Sequence, residues 1–532
     1  MPIRAFAEIL ATLIKLNVLA PASFGLLALV SGASSGLGTG IDLGTTRALP
    51  KYIPETDKAG GPPATLRLLG AVFVAQVLAL LAVVAGLLLF RGAYLGGLAR
   101  QLTQDAVLSA GVRNALLHYI ETDGWLIIGA IVALLFLGIC YDMLMAYLNS
   151  FFRQKTWNAV DLAAKLLLPL LSAAAIVISR LTGAPEGWAI TGVLIAMVVA
   201  PLVSVMVAGW QVWRAWGERQ KPAVSSQQSA AKPSSLHPFI PPGFVRYCAV
   251  SFLMTTSDFI ASPGFAIFLA KGIGDVALLW AGSSVVRMVL GYLFTPMVGV
   301  QVPLFTRVRA GDGGTLNGAY QSLVRLQLLL LIPGGVGLML LARPTLAILT
   351  PSYLDAAPLV WVLVPALFLE CLLTTAHNAL IVYEKLGIII ISRLLTLAVV
   401  AALAFWLPGA YGIVGVALAF GAARVVAGAW VTGSGFRLLG LVWPWRFTAR
   451  VLLASGAMAL AIAGLNGRVP LGAIGSAPLA RLAALPLLLG IGGLGGAVFL
   501  LVLRLAGGLE RADREQLARL RLPAKQWIMR LV

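Results

Sequence analysis

Charged side chains fall inside long apolar runs of this 532-residue chain: Asp42, Asp142, Asp161, Lys165, Asp258, Arg287, Glu370, Arg393 and Arg424. On membrane-insertion scales each costs about 2.5–3.5 kcal/mol if left facing lipid, so each must pair, reach the headgroups or face water. Asp161 and Lys165 stand four residues apart on one helical face and are expected to pair locally. Arg393 lies near a span end and can reach outward along its own stem. Arg287 has no such exit, because the run Ser283-Ser-Val-Val-Arg287-Met-Val carries no acid within helical reach. It either pairs across helices or meets an anionic ligand, which a guanidinium fork suits. Glu370 and His377, two turns apart, can face one space and exchange protons, which makes them candidates for ion coupling. Pairing of Glu370 with Arg393 or Arg424 is the alternative. Arg47 and Lys51, one turn apart at the inner end of an apolar run, are candidates for a cytoplasmic anion-receiving site or for plain anchoring of the helix end.

Other chemistry finds no support. The chain holds no GxxxxGK[ST] loop for ATP. Cys140, Cys248 and Cys371 all lie in apolar runs at no metal-ligand spacing and read as small core residues. No metal, cofactor or catalytic residue is expected.

The elements that must position these groups follow from composition. Hydrophobic residues make up 60% of the chain and charged residues 11%, with mean hydropathy +0.94, against about 25% charged in an ordinary soluble domain. Runs of roughly 20 apolar residues recur from end to end, so lipid is the solvent and helices are the spanning element. The pattern predicts an all-α membrane protein with about 14 transmembrane helices in two six-helix bundles plus a C-terminal helix pair. Prolines 169, 201, 263, 296, 333 and 365 lie in or near spans, where helices can bend.

The formal net charge of +19 does not imply nucleic acid, because the basic residues are scattered over short loops and the C-terminal tail. They concentrate on the side shared by both termini, which places both termini in the cytoplasm. No cleavable signal peptide is expected, and the tail after Arg504 can lie along anionic headgroups. From Trp216 to Pro242 the chain is polar and rich in Ser, Gln and Pro, a composition that cannot bury a core. The expected organisation is therefore an N-terminal bundle at 1–215, a cytoplasmic linker at 216–243, a C-terminal bundle at 244–432, and two further helices with a tail at 433–532. A weak internal repeat supports it: Phe24 to Tyr52 and Ala277 to Phe305 both run through a Gly/Ser-rich apolar stretch into Pro50-x-Tyr52 or Pro303-x-Phe305.

Several stretches, in order, carry a family likeness. Near the start stand Pro21-Ala-Ser-Phe24-Gly25, then Asp42-Leu43-Gly44, then Arg47-Ala-Leu-Pro-Lys51-Tyr52-Ile53-Pro54-Glu55. Further on come Pro303-Leu-Phe305 with Arg307, then Tyr353-Leu-Asp355-Ala-Ala-Pro358-Leu, then Tyr411-Gly412-x-x-Gly415-Val-Ala. Together these resemble the polysaccharide and O-antigen flippases of the MOP (multidrug, oligosaccharidyl-lipid, polysaccharide) exporter superfamily. In that family an acidic residue often occupies the seventh span, where Asp258 stands here. The first span is shorter than the family's and carries Arg4, Glu8 and Lys15, and the stretch before Trp125 is longer.

The resemblance implies a flippase of the bacterial inner membrane that moves undecaprenyl-diphosphate-linked oligosaccharide from the inner to the outer leaflet by alternating access. Its partners would be that lipid-linked substrate, membrane lipids and polysaccharide assembly proteins. A diphosphate headgroup would be met by Arg287, Arg47, Lys51, Arg424 and Arg393, and ion coupling would fall to Glu370, Asp258 and His377. A multidrug or peptidoglycan-precursor exporter of the same superfamily is the nearest alternative. An integral-membrane glycosyltransferase would need an acidic group in an outer loop, and Asp105, Glu121 and Asp123 show no motif for one.

Overall fold

Helix is the only regular structure among the residues that the computed structural model describes, which are 15–17, 19–104, 110–151, 154–183, 185–220, 240–311, 314–466 and 478–507. In lipid a backbone N–H or C=O has no water to bond, and a helix satisfies all of its own. Eleven helical runs among these residues are long and apolar enough to cross a membrane. Large apolar side chains stand on the surface between them, Phe405 at 91% and Leu181 at 82% exposure, as lipid-facing positions must. This is a multi-pass, all-α membrane protein.

The expected count of about 14 differs from eleven for local reasons. The segment Ile3–Ala20 lies largely outside the described residues. The first run, Pro21–Leu89, contains two helices, α1 (Pro21–Asp42) and α2 (Thr45–Leu89). The span expected at Phe244–Leu269 stops as a helix at Ile260, giving α7 (Phe244–Ile260), because Pro263 has no N–H and its ring disfavours helix at the residue before it. A short helical turn, Pro263–Ala266, follows.

The chain packs as two compact units, Met1–Ala277 and Leu278–Val532. In the first, α1 and α2 are followed by α3 (Arg91–Gln104), α4 (Ala110–Ser150), α5 (Gln154–Leu181) and α6 (Glu186–Gln220). α4 packs on α1, α2 and α6, and α7 packs on α1 and α2. α1 and its junction with α2 approach α7 through small residues. A Cβ on Gly36 would lie 2.6 Å from the Phe259 ring, and one on Gly44 would lie 2.2 Å from the Cys248 carbonyl oxygen. Such close helix contact is what small residues permit in membranes. Residues 216–220 of the expected linker complete α6, while 221–239 lie outside the described residues.

α8 (Ile273–Leu293) crosses from one unit to the next, and the second unit continues with α9 (Thr295–Arg309), α10 (Leu316–Leu340), α11 (Ala342–Leu349), α12 (Ala357–Val382), α13 (Leu386–Ala404), α14 (Leu407–Leu439), α15 (Trp445–Asn466) and α16 (Pro478–Leu505). α12 is its hub, packed against α9, α10 and α14, while the appended helices α15 and α16 pack on each other and α15 on α10. Two buried glutamines tie α12 to its neighbours: Thr375 donates to Gln327 Oε1 at 2.8 Å, and Asn378 donates to Gln301 Oε1 at 2.6 Å. Each is a polar cross-helix link made where lipid offers no alternative partner.

Candidate functional site

In the first unit the sequence Asp42-Leu43-Gly44 breaks one helix and starts the next. Leu43 and Gly44 both take positive φ, 52° and 77°, a region that costs a non-glycine residue roughly 1–2 kcal/mol. The following helix repairs its open end with Asp42, whose Oδ1 accepts from the Thr46 amide at 2.9 Å, the Thr46 hydroxyl at 2.6 Å and the Thr45 hydroxyl at 3.1 Å. The first of these bonds satisfies an N–H group at the helix start that no helical carbonyl can reach. Gln76, one turn of α2 deep in the apolar run and 2% exposed, donates to Thr45 Oγ1 at 2.7 Å. Around the break opens a cavity of about 340 Å³, lined by Asp42, Thr46, Arg47 and Gln76, by Asp142 and Gly138 of α4, and by Thr255 of α7. Arg47 donates to Asp258 at 3.1 Å, each side chain about 40% exposed. The charges in and at the rim of this cavity are thus three carboxylates and one guanidinium.

The second unit carries the opposite balance. Arg424 of α14 grips Glu370 of α12 through both carboxylate oxygens, at 2.6 and 2.9 Å. Arg287 of α8 stands in the field of both Arg424 and Glu370 yet makes no hydrogen bond or ion pair among the described residues. Its side chain is accessible to solvent although protein surrounds it densely. That is the situation of a group projecting into a recess and not out to lipid. Two guanidinium groups and one carboxylate leave one positive charge uncompensated, which can capture an anion.

The structure therefore brings Arg287, Arg424 and Glu370 together, and separately Arg47 and Asp258. Glu370 is not the lone carboxylate that ion coupling would want, because Arg424 already holds it. His377 and Arg393 lie half-buried on α12 and α13, each with partners of its own. Lys51 is exposed, its Nζ 5.0 Å from the ring centre of Tyr52 and 4.9 Å from that of Tyr247, so helix-end anchoring accounts for its contacts. The Lys165 side chain, and with it the expected Asp161–Lys165 pair, lies outside the described residues, as does Asp105. Cys248 is buried, and Cys140 and Cys371 are half-buried. Gln76 was missed by the sequence reading; its signal is a lone amide in the apolar run Val72-Phe-Val-Ala-Gln76-Val-Leu.

No protein-family model matches the sequence, and no curated protein matches it. Among solved structures the chain is similar to the lipid II flippase MurJ in an inward closed conformation, with a TM-score of 0.65 at 14% identity over 93% of this chain and 96% of that one. It is also similar to a multidrug resistance MATE family transporter of the MOP superfamily in an inward-facing conformation, with a TM-score of 0.54 at 14% identity over 82% of this chain and 94% of that one. The fold is that of these membrane transporters. At this identity the likeness is one of architecture, shared by a flippase and a multidrug transporter.

Proposed function

We propose that the chain is a flippase that carries an undecaprenyl-diphosphate-linked oligosaccharide from the inner to the outer leaflet of a bacterial cytoplasmic membrane, with both termini in the cytoplasm. The observation that carries this reading is Arg287, accessible and without an ion-pair partner among the described residues, beside an Arg424 whose charge Glu370 offsets. A diphosphate offers the charge and the acceptor oxygens that such a guanidinium suits. The bundles at 1–215 and 244–432, joined by 216–243 and followed by 433–532, would alternate access, the sugars passing through water while the lipid tail stays in the bilayer. Movement of this kind makes and breaks no covalent bond, so no catalytic group is assigned. Polysaccharide assembly proteins are the expected partners.

Two other cargoes each have an observation in their favour. The fold likeness to a lipid II flippase supports a peptidoglycan precursor, and the acid-lined cavity of the first unit supports a cationic drug. Transport of fluorescent lipid-linked oligosaccharide in reconstituted vesicles separates them. Arg287→Ala should cut flipping by about 10- to 100-fold, the loss of one or two charge-assisted hydrogen bonds, while protein abundance stays near normal. Arg287→Lys should recover part of the rate, since it keeps the charge and loses the fork. Disappearance of the Ala variant from the membrane would make Arg287 a structural residue and sink the reading.

A further inference from the structure

A second recess in the first unit is the chemical opposite of the acid-lined one. It is a groove of about 360 Å³ between α2 and α7. Leu68, Ala71, Val72 and Ala75 line it from α2, and Val245, Cys248, Ala249 and Phe252 line it from α7 with the same helical spacing. Leu68 and Val72 share one buried cluster with Phe244 and Cys248, so the two helices lie level over these turns. Small residues keep the groove hollow, because Ala75 and Ala249 are exposed where a larger side chain would fill it. Leu43 and Thr45 of the helix break close its inner end. Thr45 turns no free polarity into the groove, since its hydroxyl donates to the Asp42 carbonyl and accepts from Gln76. The space left is an apolar slot about two helical turns long.

Two arginines stand at its mouth. Gly61, at φ 67°, interrupts α2 shortly before Arg67, and Gly243 precedes α7, so Arg67 and Arg246 both lie where an apolar helical run begins. Arg67 is one turn before Ala71 and Arg246 one turn before Ala249, which puts each on the groove side of its helix with its Cβ tilted toward the helix start. Both side chains are exposed, and neither makes a hydrogen bond or ion pair among the described residues. Lys51, 4.9 Å from the Tyr247 ring centre, adds positive charge at the same end. A hydrocarbon slot topped by two unengaged guanidinium groups matches a molecule with an acyl chain and a phosphate head, the arrangement by which span ends hold anionic lipid. The adjoining segment 221–239 is the wrong occupant, since it carries Lys221 and Lys232 and no acid.

We propose that the α2–α7 groove is a binding site for an anionic phospholipid, one acyl chain lying in the slot and the phosphate held by Arg67 and Arg246. This lipid is a resident ligand and not cargo, and its site shares no residue with the anion site around Arg287. With the chain end resting on Leu43 and Thr45, occupancy holds α7 against the helix break.

The test is thermal unfolding of the purified full chain in detergent, titrated with phosphatidylglycerol against phosphatidylcholine of identical chains. Phosphatidylglycerol should raise the unfolding temperature with a saturable midpoint at least about tenfold lower than that of phosphatidylcholine. Arg67→Gln with Arg246→Gln should abolish that preference, whereas Arg437→Gln, an exposed arginine of α14, should leave it in place. Ala249→Phe, which fills the slot and spares both arginines, should remove the saturable response. If the double variant does not yield folded protein, the phosphatidylglycerol retained by Arg246→Gln in native mass spectrometry decides: loss supports the site and full retention overturns it. Equal midpoints for the two lipids, a preference intact in the double variant, a response intact in Ala249→Phe, or equal protection by glycerol 1-phosphate, which has no chain, would each overturn it.

Discussion

The two units place charge in membrane-deep helices by different means. In the first, Asp42 sits at a break in the backbone, where Leu43 and Gly44 reverse their φ and the carboxylate caps the next helix. In the second, Arg287, Glu370 and Arg424 project from α8, α12 and α14, helices that run on through the positions that carry them. One constellation depends on main-chain geometry and is rich in acids. The other depends on side chains alone and is rich in arginine. A site built on a break is fixed by the fold around it, while one built on continuous helices can lose a member and keep its scaffold.

The largest expected effect breaks that contrast at its backbone end. Gly44→Ala places a methyl group 2.2 Å from the Cys248 carbonyl oxygen and 2.5 Å from the Phe252 nitrogen, at a φ of 77°. Neither contact is with a flexible side chain, so α7 must move as a body, and the substitution should cost at least about 3 kcal/mol. In the second unit Gly433→Ala, with nothing within 4 Å of its added Cβ, should be neutral or stabilise by up to about 1 kcal/mol. Membrane abundance and unfolding temperature in detergent check both. Equal tolerance at the two positions would remove the distinction between the sites.

A smaller effect is expected where side chains carry the site. Glu370→Gln removes the carboxylate that Arg424 holds through two hydrogen bonds and leaves two guanidinium groups without an acid. The pair is half-buried, its side chains 23% and 32% exposed, so the loss should be about 1–3 kcal/mol, less than for a fully buried pair. With one negative charge gone, inorganic diphosphate should protect the variant against thermal unfolding at lower concentration than it protects the wild type. Ion coupling through Glu370 predicts instead that transport loses its dependence on an imposed pH gradient, although a proton reaching Glu370 must displace both bonds from Arg424. Unchanged diphosphate protection would take Glu370 out of the anion site.

What could be read from the sequence divides along the same line. The all-α membrane architecture, the mid-helix position of Arg287 and the charge of Asp42 at membrane depth were legible, because apolar runs and charge in lipid are local signals, while the helix break at Leu43 and Gly44 was not. The partner of Glu370 was not. Arg393 and Arg424 were equal candidates by sequence, and only the packing of α12 against α14 selects one across 54 residues. Pro263 preceded by Ser262 was a legible stop to α7, masked by the apolar run that continues beyond it. Asp142 was visible as a charge at membrane depth, whereas Gln76, whose Oε1 accepts no hydrogen bond, shows itself only once α2 is folded against Thr45.

The smallest effect concerns the basic residues at helix ends, where the two units behave alike. Lys51 lies over Tyr52 and Tyr247, and Arg309 in the second unit lies 5.9 Å from the Tyr383 ring centre and pairs with Glu384 at 3.0 Å. Tyr52 is itself held edge-on by Phe244 at 5.3 Å, so the surface under Lys51 is rigid and already packed. An exposed cation over an aromatic face contributes about 0.5–1 kcal/mol, and the Lys stem also covers apolar surface. Lys51→Met keeps that stem and removes only the charge. It should therefore lower stability by no more than about 1 kcal/mol and leave flipping within about twofold of wild type, measured in the vesicle assay used for Arg287. A loss of more than about tenfold at unchanged unfolding temperature would mean that Lys51 meets the substrate, and would give the first unit an anion-receiving residue beside its acid-lined cavity.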